Sequence, residues 1–96
     1  MARLELMPNA IDDLDRILDF LVQNKVLNAY EKILEIQKSI NVLQTTPLIG
    51  HVIHKEKREL LIGKRKHGYV AIYRYLADID TVFVLAIQSQ RQQRLR

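Results

Sequence analysis

Most side chains that could act on an anionic substrate lie in the second half of this sequence. Residues 51 to 96 carry ten Lys or Arg against four acids, whereas residues 1 to 50 carry five against seven. The three histidines, His51, His54 and His67, also fall in the second half. A basic half indicates an anionic partner, either nucleic acid or an acidic protein segment.

Lys55, Lys57 and Arg58 lie close together in this basic half. His51 and His54 have no third ligand nearby in a segment that is not helical, so no metal site is predicted. Nothing in the sequence indicates a cofactor.

Apolar periodicity predicts the elements that position these residues. Residues 3 to 6 alternate charge and aliphatic side chains, which is typical of a short strand. Two amphipathic helices follow, with Asn9 and Asn28 as the expected N-caps. The apolar positions of the first helix are Ile11, Leu14, Ile17, Leu18 and Leu21. Those of the second form a narrow seam of Ala29, Ile33, Ile36, Ile40 and Leu43.

The rest of the chain changes to β-type patterns. Residues 60 to 62, 69 to 75 and 81 to 87 are predicted strands, and residues 51 to 57 a surface loop. Tyr69, Tyr73 and Tyr75 should share one face of their strand, with Arg74 on the other and paired with a carboxylate. Glu5, Asp13 and Glu59 are the candidates for that carboxylate. Short connections predict antiparallel pairing in sequence order.

These elements predict a single domain over residues 1–96. The fold class is α+β, with two layers in the order β-α-α-β-β-β, where a helical hairpin packs on an antiparallel sheet. The chain has no cysteine and no apolar run that approaches a membrane span. It also begins without the apolar segment of a signal peptide. We therefore expect a cytoplasmic protein with no membrane partner.

Several motifs, taken in order, resemble those of the RelE/ParE family of bacterial toxins. Pro8-x-Ala10-x-x-Asp13-Leu14-x-x-Ile17 opens the first helix, and Leu43-x-x-x-Pro47-x-x-Gly50 closes the second. Arg58-Glu59-Leu60 leads into a strand, and Tyr69-x-x-x-Tyr73-Arg74 lies within the next. The resemblance covers nearly the whole chain. It implies the toxin of a type II toxin-antitoxin pair, of the kind that stabilises plasmids or inhibits growth under stress.

The resemblance leaves the target of the toxin open between two branches. RelE-like members are ribosome-dependent endoribonucleases that cleave mRNA, whereas ParE-like members poison DNA gyrase by binding and are not known as nucleases. The chain has Val70 where both branches often have arginine, and Ser89 where many members have histidine. Without an activating neighbour, serine cannot serve as base or acid near neutral pH. The long helical hairpin also favours the ParE-like branch.

Residue roles follow from this resemblance. Target binding is expected at Arg58, Tyr69, Arg91, Arg94 and Arg96. If the chain is RelE-like, its catalytic candidates are Lys55, Lys57, Arg58 and Arg91. An acidic, partly disordered antitoxin is expected to bind the hairpin at Ile11, Leu14, Leu18 and Tyr30 and to form a toxin-antitoxin hetero-oligomer. A third alternative is a non-toxic paralogue that only binds an antitoxin.

Overall fold

A computed structural model describes residues 1–64 and 67–90. Within these residues five strands form one sheet, and two helices pack against it. The strands are β1 (Arg3–Leu6), β2 (His51–His54), β3 (Lys57–Ile62), β4 (Tyr69–Leu76) and β5 (Thr81–Ser89). The helices are α1 (Pro8–Gln23) and α2 (Ala29–Asn41), and 3₁₀ turns span Val42–Gln44 and Ala77–Ile79.

The sheet has the strand order β1-β5-β4-β3-β2. β3, β4 and β5 pair antiparallel in sequence order, as predicted, and β2 pairs antiparallel with β3. The expected antiparallel sheet is corrected at one edge, where β1 lies parallel to β5 with Leu4 opposite Val82. The final strand, β5, therefore lies between β1 and β4. This arrangement confirms the predicted two-layer α+β class.

The structure adds one strand that the sequence analysis missed. Residues 51 to 57 were expected to form a surface loop, but β2 pairs with β3 through His51 opposite Glu59 and Val52 opposite Arg58. Lys55 adopts a left-handed conformation with φ 51° in the turn between them. The polar histidines mask the signal of Val52 and Ile53, whose branched side chains favour an extended strand.

The expected helix caps are only partly correct. α1 begins at Pro8, not after Asn9, with Met7 as its extended N-cap residue. Proline suits the first helical turn because its fixed φ is helical and its missing N–H needs no partner there. Asn28 does precede α2, but in a left-handed conformation and without a side-chain cap hydrogen bond.

The core lies between the helical hairpin and one face of the sheet. The predicted seam of α2 is confirmed, since Ala29, Ile36, Ile40 and Leu43 are buried and Ile33 packs against the core. The predicted tyrosine face of β4 is also confirmed, because Tyr69, Tyr73 and Tyr75 all belong to this packing. The sheet positions its remaining side chains on the face away from the helices.

Asp13 attaches α1 to the sheet beyond the end of β1. β1 pairs with β5 only as far as Val84, where the Met7 N–H still donates to the Val84 carbonyl at 2.9 Å. Further along β5, the Ile87 N–H donates to Asp13 Oδ2 at 2.8 Å. Asp13 also forms an ion pair with Arg16. The carboxylate thus satisfies a partly buried backbone donor that no strand reaches.

The loop between α2 and β2 is fixed from within the core. Tyr73 is fully buried, and its hydroxyl donates to the Pro47 carbonyl at 2.8 Å and accepts from the Gly50 N–H at 2.9 Å. A Cβ on Gly50 would lie 2.7 Å from both the Tyr73 ring and the Glu59 carbonyl oxygen. Only glycine fits at this approach of loop to sheet.

We expect Tyr73→Phe to lower the free energy of unfolding by about 1–3 kcal/mol, because the variant keeps the ring but leaves two backbone groups of the loop without their partner. Tyr75→Phe is the matched control, since it removes an exposed hydroxyl that bonds only to Asp80 Oδ1 at 2.6 Å. Urea unfolding should show the clearly larger loss for Tyr73→Phe. Equal losses would contradict the structural role of the buried hydroxyl.

Candidate functional site

Lys55 and Lys57 lie together at the β2–β3 turn. With His54 and Arg74 they line an open depression of about 340 Å³, into which Glu56 also projects. Arg74 Nη2 and Glu56 Oε2 are 2.5 Å apart, so this acid pairs with one of the cations that line the depression. This ion pair uses a residue not among the three carboxylates expected for Arg74. The arrangement can bind a phosphate or carboxylate group by charge.

Arg58 lies on the other face of β3 from Lys57, because side chains alternate along a strand. Its Nη1 donates to the Leu48 carbonyl at 3.1 Å and to the Gly50 carbonyl at 2.9 Å. The guanidinium therefore supports the same loop that Tyr73 holds. The structure brings Lys55 and Lys57 together but directs Arg58 elsewhere.

Tyr69 begins β4 and is partly buried on the helix side of the sheet. Burial raises the pKa of its hydroxyl, and the nearby negative charge of Glu35 raises it further. Tyr69 is therefore a neutral hydrogen-bond donor, not an anion, at physiological pH. Its neighbour Val70 is fully buried, so this position presents no group to a substrate.

Arg91, Arg94 and Arg96 lie outside the described residues. The same is true of Arg65 and Lys66, which belong to the sequence run between β3 and β4.

The residues expected to bind an antitoxin lie on the helical hairpin. Ile11 is 49% and Tyr30 is 69% exposed, whereas Leu14 packs against the core and Leu18 is partly buried. The sequence analysis missed further exposed apolar residues on the same two helices. By helical spacing, Val22 follows the row of Ile11 and Leu18, and Leu34 follows Tyr30. Val22 and Leu34 are 52% and 53% exposed, and Phe20 on α1, 62% exposed, is a third such residue that lies outside these rows.

We call the five side chains Ile11, Leu18, Val22, Tyr30 and Leu34 the hairpin surface. Helices of a monomeric domain usually direct their apolar residues to the core, so rows of exposed ones mark an interaction site. The signal was present in the sequence as apolar positions beyond the core-facing stripe of each helix.

Nothing in the described residues indicates a metal centre or a membrane span. No group of three or more His, Cys, Asp or Glu in residues 1–64 and 67–90 is placed to hold a metal ion. No helix within those residues is both long and apolar enough to cross a bilayer.

The family model described as the ParE toxin of the type II toxin-antitoxin system parDE matches residues 4–94. The chain belongs to this family, and it is a toxin of the ParE/RelE superfamily.

Solved structures share the fold at low sequence identity. A chain from the chromosomal ParDE system of P. aeruginosa matches with a TM-score of 0.76 at 21% identity, over 93% of this chain and 96% of that one. A chain from the E. coli RelBE complex gives 0.66 at 14% identity, over 93% and 96%. A chain from the RelBE2 complex of Mycobacterium tuberculosis gives 0.58 at 16%, over 92% and 96%. No curated protein matches the sequence.

We expect Arg58→Met to lower the unfolding free energy by about 1–3 kcal/mol, because the partly buried Gly50 carbonyl and the exposed Leu48 carbonyl both lose a charged donor. Lys57→Met removes the same charge from the neighbouring exposed position and should change stability by less than about 0.5 kcal/mol. Thermal unfolding of both variants makes the comparison. A stable Arg58→Met protein would show that the guanidinium is not needed by the loop.

Proposed function

We propose that this toxin arrests bacterial growth by binding and inhibiting DNA gyrase in the cytoplasm, and that a cognate antitoxin neutralises it. Such a pair would stabilise the plasmid or chromosomal region that encodes it. The observation that carries the proposal is the match of residues 4–94 to the ParE toxin model. The higher TM-score to the ParDE chain than to either RelBE chain supports the same branch.

The geometry of the sheet is consistent with action by binding. Val70, at a position where arginine is frequent in both branches, is buried, and Arg58 is engaged with the Leu48 and Gly50 carbonyls. Ser89 replaces the histidine that many members have near the end of the last strand. A protein that traps gyrase on DNA needs a complementary surface and no catalytic base. These substitutions therefore do not weaken a binding mechanism.

A second candidate is a ribosome-dependent mRNA endonuclease. The specific observation in its favour is the grouping of Lys55, Lys57, Arg74 and His54 around one depression. Several cations at one place can stabilise a pentacoordinate phosphate. In this alternative Lys55 and Lys57 are catalytic candidates, with Arg58 and Arg91 completing the predicted set.

Two assays on the purified full chain separate these functions. We expect it to inhibit supercoiling by gyrase and to accumulate a gyrase–DNA cleavage complex, and to leave mRNA intact on translating ribosomes. mRNA cleavage in the ribosomal assay, with gyrase unaffected, would reverse the assignment. Inactivity in both assays, with antitoxin binding retained, would identify a non-toxic paralogue.

Removal of residues 91–96 tests the basic terminus. We expect truncation after Gln90 to abolish gyrase inhibition while antitoxin affinity changes by less than about threefold, because three target-binding arginines are lost and the hairpin surface is not. Arg3→Gln is a control, since it removes an exposed arginine that pairs only locally with Glu5 at 3.2 Å. Equal loss of both activities on truncation would mean that the terminus supports the fold.

The hairpin surface supports the proposed antitoxin partner. Its rows of exposed apolar side chains suit an amphipathic helix, and the basic second half of the chain suits an acidic segment. The cognate antitoxin, encoded by the adjoining reading frame, would fold on binding here. Ile11, Leu14, Leu18 and Tyr30 keep their proposed roles, with Leu14 contributing from beneath the surface.

We expect Tyr30→Ser to weaken antitoxin binding by about tenfold or more, because exposed aromatic residues in such surfaces carry much of the binding energy. Ile79→Ser is the matched control, since Ile79 is 57% exposed in the turn before β5. Titration calorimetry with the purified antitoxin measures both affinities. If the two variants bind equally well, the antitoxin does not use this surface.

A further inference from the structure

A cleft lies at the end of the sheet where β4 begins and β5 ends. It has two adjoining parts, of about 270 Å³ and about 260 Å³, and both are lined by Lys32, His67 and Tyr69. α2 forms one wall, and the described residues Gly63, Lys64, His67 and Gly68 between β3 and β4 form another. The side chains of Lys32 and His67 are not assigned to the proposed gyrase and antitoxin surfaces.

The first part of the cleft contains most of its charged side chains. Lys32, Lys64 and His67 line it, and Glu35 is the single acid among them. The turn is held by the His67 N–H, which donates to the Lys64 carbonyl at 2.9 Å. A Cβ on Gly63 would lie 3.2 Å from Glu35 Oε1, so this carboxylate lies against the turn and forms part of the wall. Two lysines against one carboxylate leave a net positive cavity that suits a phosphate.

The second part of the cleft is more apolar. Phe20 and Leu21, from the last turn of α1, and Val26, from the connection to α2, line it opposite the start of β4. The Phe20 side chain is 62% exposed although it is a large aromatic residue. Nucleobases stack favourably on exposed aromatic rings without regard to base identity. This part therefore suits a flat heterocycle.

Tyr69 stands where the two parts meet. Its raised pKa, which results from burial and then from Glu35, keeps the hydroxyl protonated. A neutral tyrosine hydroxyl can donate to a phosphate oxygen or a sugar hydroxyl. The cleft thus has cations at one end, a donor in the middle and an aromatic ring at the other end.

We propose that this cleft binds a nucleoside phosphate, with the phosphates between Lys32 and Lys64 and the base against Phe20. The combined cavity lies in the usual range for small-ligand sites, which begins at roughly 300 Å³. A free nucleotide and an end of single-stranded nucleic acid offer the same chemistry. The site is independent of the proposed gyrase inhibition, because its lining residues other than Tyr69 are distinct from those assigned to the target.

The test uses the full chain and titration with ADP, inorganic phosphate and the oligonucleotide dT4. We expect saturable ADP binding with a Kd of about 1 mM or tighter, and weaker binding of phosphate alone. Lys32→Gln and Lys64→Gln should each weaken ADP binding about tenfold, the effect of losing one charged hydrogen bond. Lys38→Gln, on the same helix but outside the cleft, is the matched control and should bind like the parent.

Phe20→Ser separates the two ends of the ligand. It should weaken ADP binding about tenfold but leave phosphate binding unchanged, because stacking contributes only for the base. Tighter binding of dT4 than of ADP would assign the site to nucleic acid, and the reverse to a free nucleotide; both support the proposal. Absence of ADP binding, equal effects of Lys38→Gln and Lys32→Gln, or phosphate binding as tight as ADP would each overturn it. Unfolding midpoints of all variants exclude a folding defect as the cause.

Discussion

The buried hydroxyl of Tyr73 is the constraint on which the arrangement of the sheet depends. The hydroxyl donates one hydrogen bond to the loop that follows α2 and accepts another from it. The Arg58 guanidinium donates two further hydrogen bonds to the same loop. Gly50 has no space for a side chain there. The start of β2 is therefore fixed against β3, which determines where the β2–β3 turn carries its cations. A polar network in the core thus sets the geometry of an exposed basic surface.

The two faces of the sheet present different side chains, because the helices cover only one of them. The helices cover the face that contains Leu60 and Ile62, so Lys57 and Arg74 belong to the other face. The two cation groups lie at opposite ends of the β3–β4 hairpin, about 20 Å apart for a strand of six residues. The basic turn and the cleft therefore lie at different ends of this hairpin.

Periodicity predicted the elements whose burial is one-sided, such as α2, because core packing and helical spacing require the same residues. It missed β2, because the polar His51 and His54 flank only two apolar residues, which is too short a run to indicate a strand. It misplaced the start of α1, because Asn9 has the chemistry of a cap but Pro8 already has helical geometry. The cleft was not predictable, since Phe20, Lys32 and His67 are brought together only by the packing of the hairpin on the sheet.

Each cation group contains one carboxylate, and this shared feature bears on how the toxin meets its partners. Glu56 lies among Lys55, Lys57 and Arg74, and Glu35 among the cations of the cleft. An arriving anion must compete with a carboxylate already present, so an isolated charge gains little in these partly solvated positions. A ligand with several closely spaced charges gains more, because it contacts more than one cation at once. Both cation groups would therefore favour ligands with several charges over single carboxylates.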